Sequence, residues 1–331
     1  MRIAIALLPV VAFLGLLTFM DSFKLVRRGG VLQAILMGGL SAFVAATINV
    51  TLLDQTGVDV TTYSRYIAPV VEELAKGVWL VFLIRRQRVA FLVDSAILGF
   101  AIGAGFALYE NVTYLTHVTS AGLSLWFARG CGTAILHGAT TASFAVIAKN
   151  GYERRTGLVP AAQGLLAAAL THSLFNHFVL PPVLSALVLL ATLPLLLTLV
   201  FNRSEKATRA WLGSEFDGEV EMLQSIMSGG LAGTRTGTYL ESLKARFPGE
   251  IVADMLCLLQ IHLELGVRAK GILMAREAGL DVKAGEDVAA NLKELTYLEG
   301  QIGRTGLLAM KPILALGNRE LWEIRLLQEG S

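Results

Sequence analysis

The sequence is poor in charged residues. Only 16% of its 331 residues are Asp, Glu, Lys or Arg, whereas 54% are hydrophobic. Because a soluble domain carries about a quarter charged residues, this composition argues against a soluble enzyme and indicates a polytopic membrane protein. The net charge of +2 is too small to suggest a nucleic acid as a partner.

Cysteine is nearly absent as well. Cys131 lies in an apolar segment and Cys257 in the more polar C-terminal part. Neither belongs to a C-x-x-C sequence, so we expect no disulfide framework and no cysteine-ligated metal or redox centre.

Long apolar segments follow one another through the first two thirds of the chain. Each is close to the roughly 20 residues that a helix needs to cross a bilayer. The predicted fold class is therefore all-α: a polytopic bundle of about seven transmembrane helices, followed by a small all-α cytosolic domain. The predicted spans are residues 3–20, 31–53, 66–84, 95–115, 125–148, 158–180 and 183–201.

Positive residues alternate between the loops of these segments. They follow the first, third, fifth and seventh segments, while the other loops carry little more than Arg65, with Arg129 near the outer end of the fifth segment. The positive-inside rule then predicts a multi-pass protein of the cell membrane with its N-terminus outside and its C-terminus in the cytoplasm. The inner clusters are Lys24, Arg27 and Arg28; Arg85, Arg86 and Arg88; Lys149, Arg154 and Arg155; and Arg203, Lys206 and Arg209.

The composition changes near residue 202. Helical patterns recur at 216–227, 238–247 and 251–278, and apolar residues keep helical spacing from Met255 to Leu265. We therefore divide the chain into a transmembrane domain, residues 1–201, and a helical cytosolic domain, residues 202–331. The second domain shows no catalytic constellation, and its sequence does not identify its partner.

Ionisable side chains interrupt the third apolar segment at Glu72, Glu73 and Lys76. Each costs about 2.5–3.5 kcal/mol in a membrane helix, so such residues are rarely present without a function. Lys76 lies one helical turn from both carboxylates and can neutralise one of them. Spacing alone allows either glutamate to be the one that remains reactive.

Other polar residues interrupt the next three segments: Glu110 in the fourth, His137 in the fifth, and His172 with Asn176 in the sixth. At about 1.5 Å per residue, Glu72, Glu110 and His172 lie about 9, 8 and 12 Å below the outer ends of their helices. His137 lies somewhat deeper. Because the helices alternate in direction, this common depth predicts that they form one site.

The residue types suit cleavage of an amide by water. A buried glutamate can take a proton from water, and a histidine with an asparagine amide can stabilise the oxyanion. Intramembrane Glu and His also form proton relays, so a proton-coupled transporter or sensor is the alternative, although no internal repeat supports it. A third reading is an inactive membrane core that carries a cytosolic scaffold.

Taken together, these motifs resemble the PrsW family, bacterial intramembrane proteases related to the CAAX prenyl endopeptidases. The resemblance covers about residues 65–180. It rests on Glu72-Glu73-x-x-Lys76, Asp94-x-x-x-x-Gly99-x-x-x-Gly103-x-Gly105, Phe106-x-x-x-Glu110-Asn111-x-x-Tyr114, His137 and His172-x-x-Phe175-Asn176.

The resemblance implies a role for each site residue. Glu72 matches the water-activating glutamate, with Glu73 as its partner, and Glu110 occupies a position that is histidine in the prenyl endopeptidases. The implied substrate is a membrane-anchored protein, such as an anti-sigma factor, cut on the outer side of a bacterial inner membrane during stress signalling. The remaining implied site residues are His137, His172 and Asn176 as catalytic residues, and Lys76 and Phe106 as supporting ones.

We expect no cofactor. Two histidines and several carboxylates offer zinc ligands, but the sequence contains no H-E-x-x-H motif. A glutamate mechanism without metal is therefore favoured, with zinc as the open alternative.

Overall fold

A computed structural model describes residues 1–118, 121–152, 157–280, 282, 285–314 and 318–328. Every regular element in these ranges is a helix, as the sequence predicts. Arg154 and Arg155, which the sequence places in an inner loop, lie outside the described residues. The chain divides into two compact units, Met1–Glu205 and Lys206–Ser331.

A long helix lies in each of the seven predicted segments, although the sixth helix ends at Asn176, four residues before the predicted end. Short helical segments lead into two of them: a π-helix at Tyr63–Ile67 precedes α3, and another at Ala128–Thr133 precedes α5. The seven helices are α1 (Arg2–Phe19), α2 (Arg28–Thr56), α3 (Ala68–Arg85), α4 (Leu92–His117), α5 (Ala134–Tyr152), α6 (Val159–Asn176) and α7 (Pro182–Met227).

Five helical stretches in the described residues are long and apolar enough to cross a membrane. They are α1, α2, α4, α7 and the continuous stretch Leu123–Tyr152, which ends with α5. The other two helices, α3 and α6, carry the polar residues that the sequence assigns to the site. Those residues are what lower the apolar character of α3 and α6, so the total of seven spans remains a prediction.

Helix α4 lies at the centre of the first unit, and 83% of its most apolar window is buried. Glycines allow its neighbours to pack backbone against backbone. A Cβ atom on Gly103 would overlap the carbonyl oxygen of His137 in α5, and one on Gly105 would overlap that of Ile35 in α2. This close packing fixes the part of α5 that carries His137.

A small core holds α3 against its neighbours. Ala42 and Ala45 of α2 are buried with Phe106 of α4, and Val71 and Ala75 of α3 pack against them. These contacts turn the α3 residues Glu73 and Lys76 inward, where both side chains are completely buried.

The second unit is also helical, and its core follows the predicted spacing. Met255, Leu258, Leu259 and Leu265 are at most 1% exposed. The predicted helix 251–278 is observed as Gly249–Glu277, while the predicted helix 238–247 is observed as Arg235–Leu243, which begins and ends earlier. The helices that follow α7 are α8 (Arg235–Leu243), α9 (Gly249–Glu277), α10 (Glu286–Leu314) and α11 (Asn318–Gln328).

A buried lysine links three helices of this unit. Lys270 Nζ lies 2.7 Å from Glu219 Oε1 and 2.9 Å from Glu323 Oε1, and 5.1 Å from the centre of the Trp211 ring. Burial opposes the charged form, but the carboxylates of Glu323 and Glu219 outweigh it and raise the pKa of Lys270 above its usual value. The lysine is thus a charged, paired group in the core of the unit.

Candidate active site

Four helices bring the predicted site residues together. We use the name carboxylate–histidine cluster for the side chains that contact one another between α3, α4, α5 and α6. Its members are Glu72, Glu73, Lys76, Glu110, His137 and His172.

Glu73 is the buried anchor of the cluster. Its Oε1 atom accepts hydrogen bonds from Lys76 Nζ at 2.6 Å, His172 Nδ1 at 2.9 Å and Thr140 Oγ1 at 3.0 Å. Its Oε2 atom is buried and accepts no hydrogen bond from the residues that the structure describes. Three donors on one oxygen hold this carboxylate in a single position.

Lys76 determines which nitrogen of His137 carries the proton. Its Nζ atom lies 3.2 Å from His137 Nδ1 and 4.8 Å from the centre of the Phe106 ring. An ammonium group only donates hydrogen bonds, so Nδ1 is the acceptor and the neutral ring carries its proton on Nε2. That Nε2 then donates to Glu110 Oε2, 3.1 Å away.

His172 has the opposite arrangement. Its Nδ1 donates to the carboxylate of Glu73, so the Nε2 atom of the neutral ring carries a lone pair. This Nε2 lies 3.8 Å from Glu72 Oε2, which is also an acceptor. The separation is too long for a hydrogen bond, but a water molecule between the two atoms can donate to both.

Glu72 is partly exposed, and two further residues orient it. Its Oε1 accepts a hydrogen bond from Asn49 Nδ2 at 3.3 Å, and the hydroxyl of Tyr63 donates to Asn49 Oδ1 at 3.0 Å. Sequence reasoning missed both residues. The available signal was an asparagine within the apolar segment 31–53.

Arg129 also contacts the cluster, from the outer end of the predicted fifth span, residues 125–148. The residue is only 8% exposed. Its Nη2 atom lies 3.2 Å from Glu110 Oε2, the same oxygen that His137 contacts. The π-helix at Ala128–Thr133 continues α5 outward, so Arg129 belongs to the helical segment that contains the predicted span.

Asn176 lies on α6 but does not hydrogen-bond to the cluster in the described contacts. Its Nδ2 atom donates to the Ser64 carbonyl oxygen at 2.9 Å, and Ser173 donates to that of Arg65 at 2.6 Å. Both acceptors belong to the π-helix before α3. Asn176 therefore ties α6 to this π-helix, and its role in oxyanion stabilisation stays a prediction.

Three members of the cluster lie close enough together to hold a metal ion. Glu72, His137 and His172 each offer a ligand atom within 4.8 Å of the others, and two histidines with a glutamate are a known set for catalytic zinc. Glu72 and His172 also have lone pairs facing the gap between them. His137 does not fit as well, because Lys76 occupies its Nδ1 and Glu110 its protonated Nε2. The distances between the three ligand atoms suit a metal ion, but the hydrogen bonds leave only Glu72 and His172 with a lone pair that could bind it.

A family model described as PrsW family intramembrane metalloprotease matches residues 27–201, more than half of the chain and every residue of the cluster. No curated protein and no solved structure matches the chain.

Proposed function

This chain belongs to the PrsW family of intramembrane proteases, and we propose that it cleaves a membrane-anchored protein with a water molecule activated by Glu72. One observation carries the proposal. Glu72 Oε2 and His172 Nε2 are two acceptors 3.8 Å apart, a spacing that suits one water molecule donating to both.

Glu72, and not Glu73, is the proposed general base. Glu73 is completely buried, and Lys76 compensates its charge at 2.6 Å. Glu72 has no lysine at hydrogen-bonding distance among the described residues, and its Oε2 atom faces His172. Glu73 acts through His172. Its hydrogen bond keeps the proton of the His172 ring on Nδ1, so the lone pair on Nε2 faces the water.

The reaction then needs few groups. Glu72 takes a proton from the water as its oxygen bonds to the scissile carbonyl carbon, and the carbonyl oxygen becomes an oxyanion. When the C–N bond breaks, the leaving amine takes that proton from Glu72. His172 was expected to stabilise the oxyanion, but its Nε2 has no proton to donate, so we assign it to the water and leave the oxyanion to the Asn176 amide.

The family description includes a metal, and the candidate ligands are Glu72, His172 and His137. A divalent ion bound there would activate water and polarise the carbonyl oxygen. We favour the mechanism without metal because Lys76 and Glu110 occupy both nitrogens of His137. With an ion bound, Glu72 and His172 would be its ligands, whereas without metal they hold the water directly.

The proposed setting is a bacterial inner membrane crossed seven times, with the N-terminus outside and residues 202–331 in the cytoplasm. Burial of Glu73 and Lys76 as a pair makes α3 acceptable as a span despite its charges. The site then lies in the outer half of the membrane, which suits a single-span substrate such as an anti-sigma factor. The partner of the cytosolic domain is not identified.

The test is a comparison of membrane-protein fragments in cells that produce either the wild type or Glu72→Gln. We expect a set of new N-termini that disappears with Glu72→Gln and persists with Glu241→Gln, a matched change of an exposed glutamate in the second unit. Fragments that are identical in all three strains would refute the proposal. Proton flux into liposomes that depends on Glu110 would support the transporter instead.

A further inference from the structure

Pro69 lies in the first turn of α3, directly after the π-helix that precedes it. A proline has no N–H, so Pro69 cannot donate to the carbonyl oxygen of Arg65, its partner at α-helical spacing. The N–H of Ala68, which would bond to Ser64 in an α-helix, donates instead to the carbonyl oxygen of Tyr63. The carbonyl oxygens of Ser64 and Arg65 therefore lack the donors that a continuous α-helix provides.

Helix α6 supplies both donors. Ser173 Oγ donates to the Arg65 carbonyl oxygen at 2.6 Å, and Asn176 Nδ2 donates to that of Ser64 at 2.9 Å. In membrane helices that a proline interrupts, a serine of a neighbouring helix often satisfies the backbone in this way. Asn176 uses one of its two N–H groups here, so the second can still serve the oxyanion.

The same π-helix orients the proposed base. Tyr63 is its first residue and is only 4% exposed. The Tyr63 hydroxyl donates to Asn49 Oδ1 at 3.0 Å, and Asn49 Nδ2 donates to Glu72 Oε1 at 3.3 Å. Arg65, whose carbonyl Ser173 holds, lies two residues from Tyr63 in the same turn. A fixed Arg65 carbonyl therefore fixes the ring that holds Asn49.

Ser173 also follows His172 directly in α6. His172 Nε2 is the second acceptor of the pair that faces the proposed water, 3.8 Å from Glu72 Oε2. Helix α6 thus carries one acceptor itself and reaches the other through Ser173 and the π-helix. Groups that hold a reactive pair at one distance need supporting contacts of this kind.

We propose that Ser173 is a positioning residue for Glu72. Its hydroxyl holds the turn of the π-helix that Pro69 leaves open, and this turn places Tyr63 and Asn49, which orient the base. The proposal rests on the function proposed above and deepens it. It gives α6 a second task beside presenting a histidine, namely setting the position of the base on α3.

The first experiment observes Tyr63 and does not depend on activity. Fluorine-19 spectra of the full chain in detergent micelles, labelled with 3-fluorotyrosine at its seven tyrosines, report the surroundings of each ring, and Tyr63→Phe identifies the Tyr63 signal. Ser173→Ala should shift or broaden this signal, while Ser173→Thr, which keeps the hydroxyl, should leave it as in the wild type. Thr171→Val is the matched control, because the Thr171 hydroxyl donates to Ala167 within α6.

Two spectral outcomes overturn the proposal. One is an unchanged Tyr63 signal in folded Ser173→Ala, and the other is an equal change in Thr171→Val. Should Ser173→Ala not fold, Ser173→Cys takes its place, because a thiol is a weaker donor than a hydroxyl, and the same two outcomes apply.

The second experiment separates positioning from general structural support. On the membrane protein whose cleavage depends on Glu72, Ser173→Ala should lower kcat about two- to tenfold with little change in KM, and Ser173→Thr should keep the wild-type rate. Tyr63→Phe breaks the same chain of contacts, so the double variant should be no slower than the slower single variant. Effects that multiply in the double variant, or a wild-type rate in Ser173→Ala, contradict the proposal.

The two experiments also separate this proposal from the function on which it rests. If no cleavage depends on Glu72, the proposed function fails. The fluorine spectra still decide whether Ser173 holds Tyr63.

Discussion

Glu72 Oε2 and His172 Nε2 face each other at 3.8 Å, and both are hydrogen-bond acceptors. The neighbouring residues cause this arrangement: Glu73 accepts a hydrogen bond from His172 Nδ1, and Asn49 donates to the other oxygen of Glu72. Two acceptors at this distance leave a place for a donor with two protons. A water molecule is such a donor, and it is the nucleophile that peptide hydrolysis needs.

The two adjacent glutamates should respond differently to neutral substitution. Glu72→Gln should lower the cleavage rate by about 100-fold or more, because it removes the base, while the melting temperature stays close to that of the wild type. Glu73→Gln should lower stability by about 3–5 kcal/mol, because it leaves Lys76 as a buried, uncompensated charge. Thermal unfolding of the purified full chain, measured beside the cleavage rate, checks both. Equal loss of stability in the two variants would show that the division of roles is wrong.

Tyr63 should affect the rate through Asn49. Tyr63→Phe removes the hydroxyl that donates to Asn49 Oδ1 at 3.0 Å, so the Asn49 amide loses one of its anchors. One such hydrogen bond contributes about 0.5–1.5 kcal/mol, which corresponds to about a two- to tenfold lower kcat. Tyr66→Phe is the matched control, because Tyr66 is 58% exposed. Equal rates for Tyr63→Phe and the wild type would exclude this contact from the mechanism.

Metal removal should leave the activity intact. Because Lys76 and Glu110 occupy both nitrogens of His137, the cluster offers two ready ligands where catalytic zinc sites use three. We expect the purified enzyme to keep its cleavage rate to within about twofold after dialysis against a strong chelator. A loss of activity that zinc restores would identify Glu72, His172 and His137 as metal ligands and reject the mechanism without metal.

Much of this site is predictable from the sequence. Depth along antiparallel helices is enough to group Glu72, Glu110, His137 and His172. Depth does not identify Thr140 or Asn49 as site residues, because a single threonine or asparagine in an apolar helix often forms only a local hydrogen bond to the backbone. The tautomers of the histidines depend on which neighbour faces each ring nitrogen, and no spacing rule contains that information.

Arg129 shows a second limit of the sequence. A positive residue near the end of an apolar segment normally indicates a loop. Here the residue lies within the predicted span 125–148, and the guanidinium is paired and stacked inside the protein. Single-turn π-helices often occur at functional sites, but only the structure shows which groups this guanidinium contacts.

The buried lysine of the second unit should matter for stability. Lys270→Met leaves the carboxylates of Glu219 and Glu323 without their shared cation and should cost about 3–5 kcal/mol. Lys244→Met is the matched control, because Lys244 and Glu241 are more than half exposed and such pairs contribute about 0–1 kcal/mol. Thermal unfolding of the full chain measures both, and similar effects of the two changes would contradict the core role of Lys270.

The most direct test is cleavage in a defined membrane. Purified full chain is reconstituted in liposomes with the membrane protein whose fragments depend on Glu72 in cells. Wild type and Glu241→Gln should cut this protein at one site in its outer half, and Glu72→Gln should not. Cleavage by Glu72→Gln at the wild-type rate would contradict the assignment of Glu72 as the group that activates water.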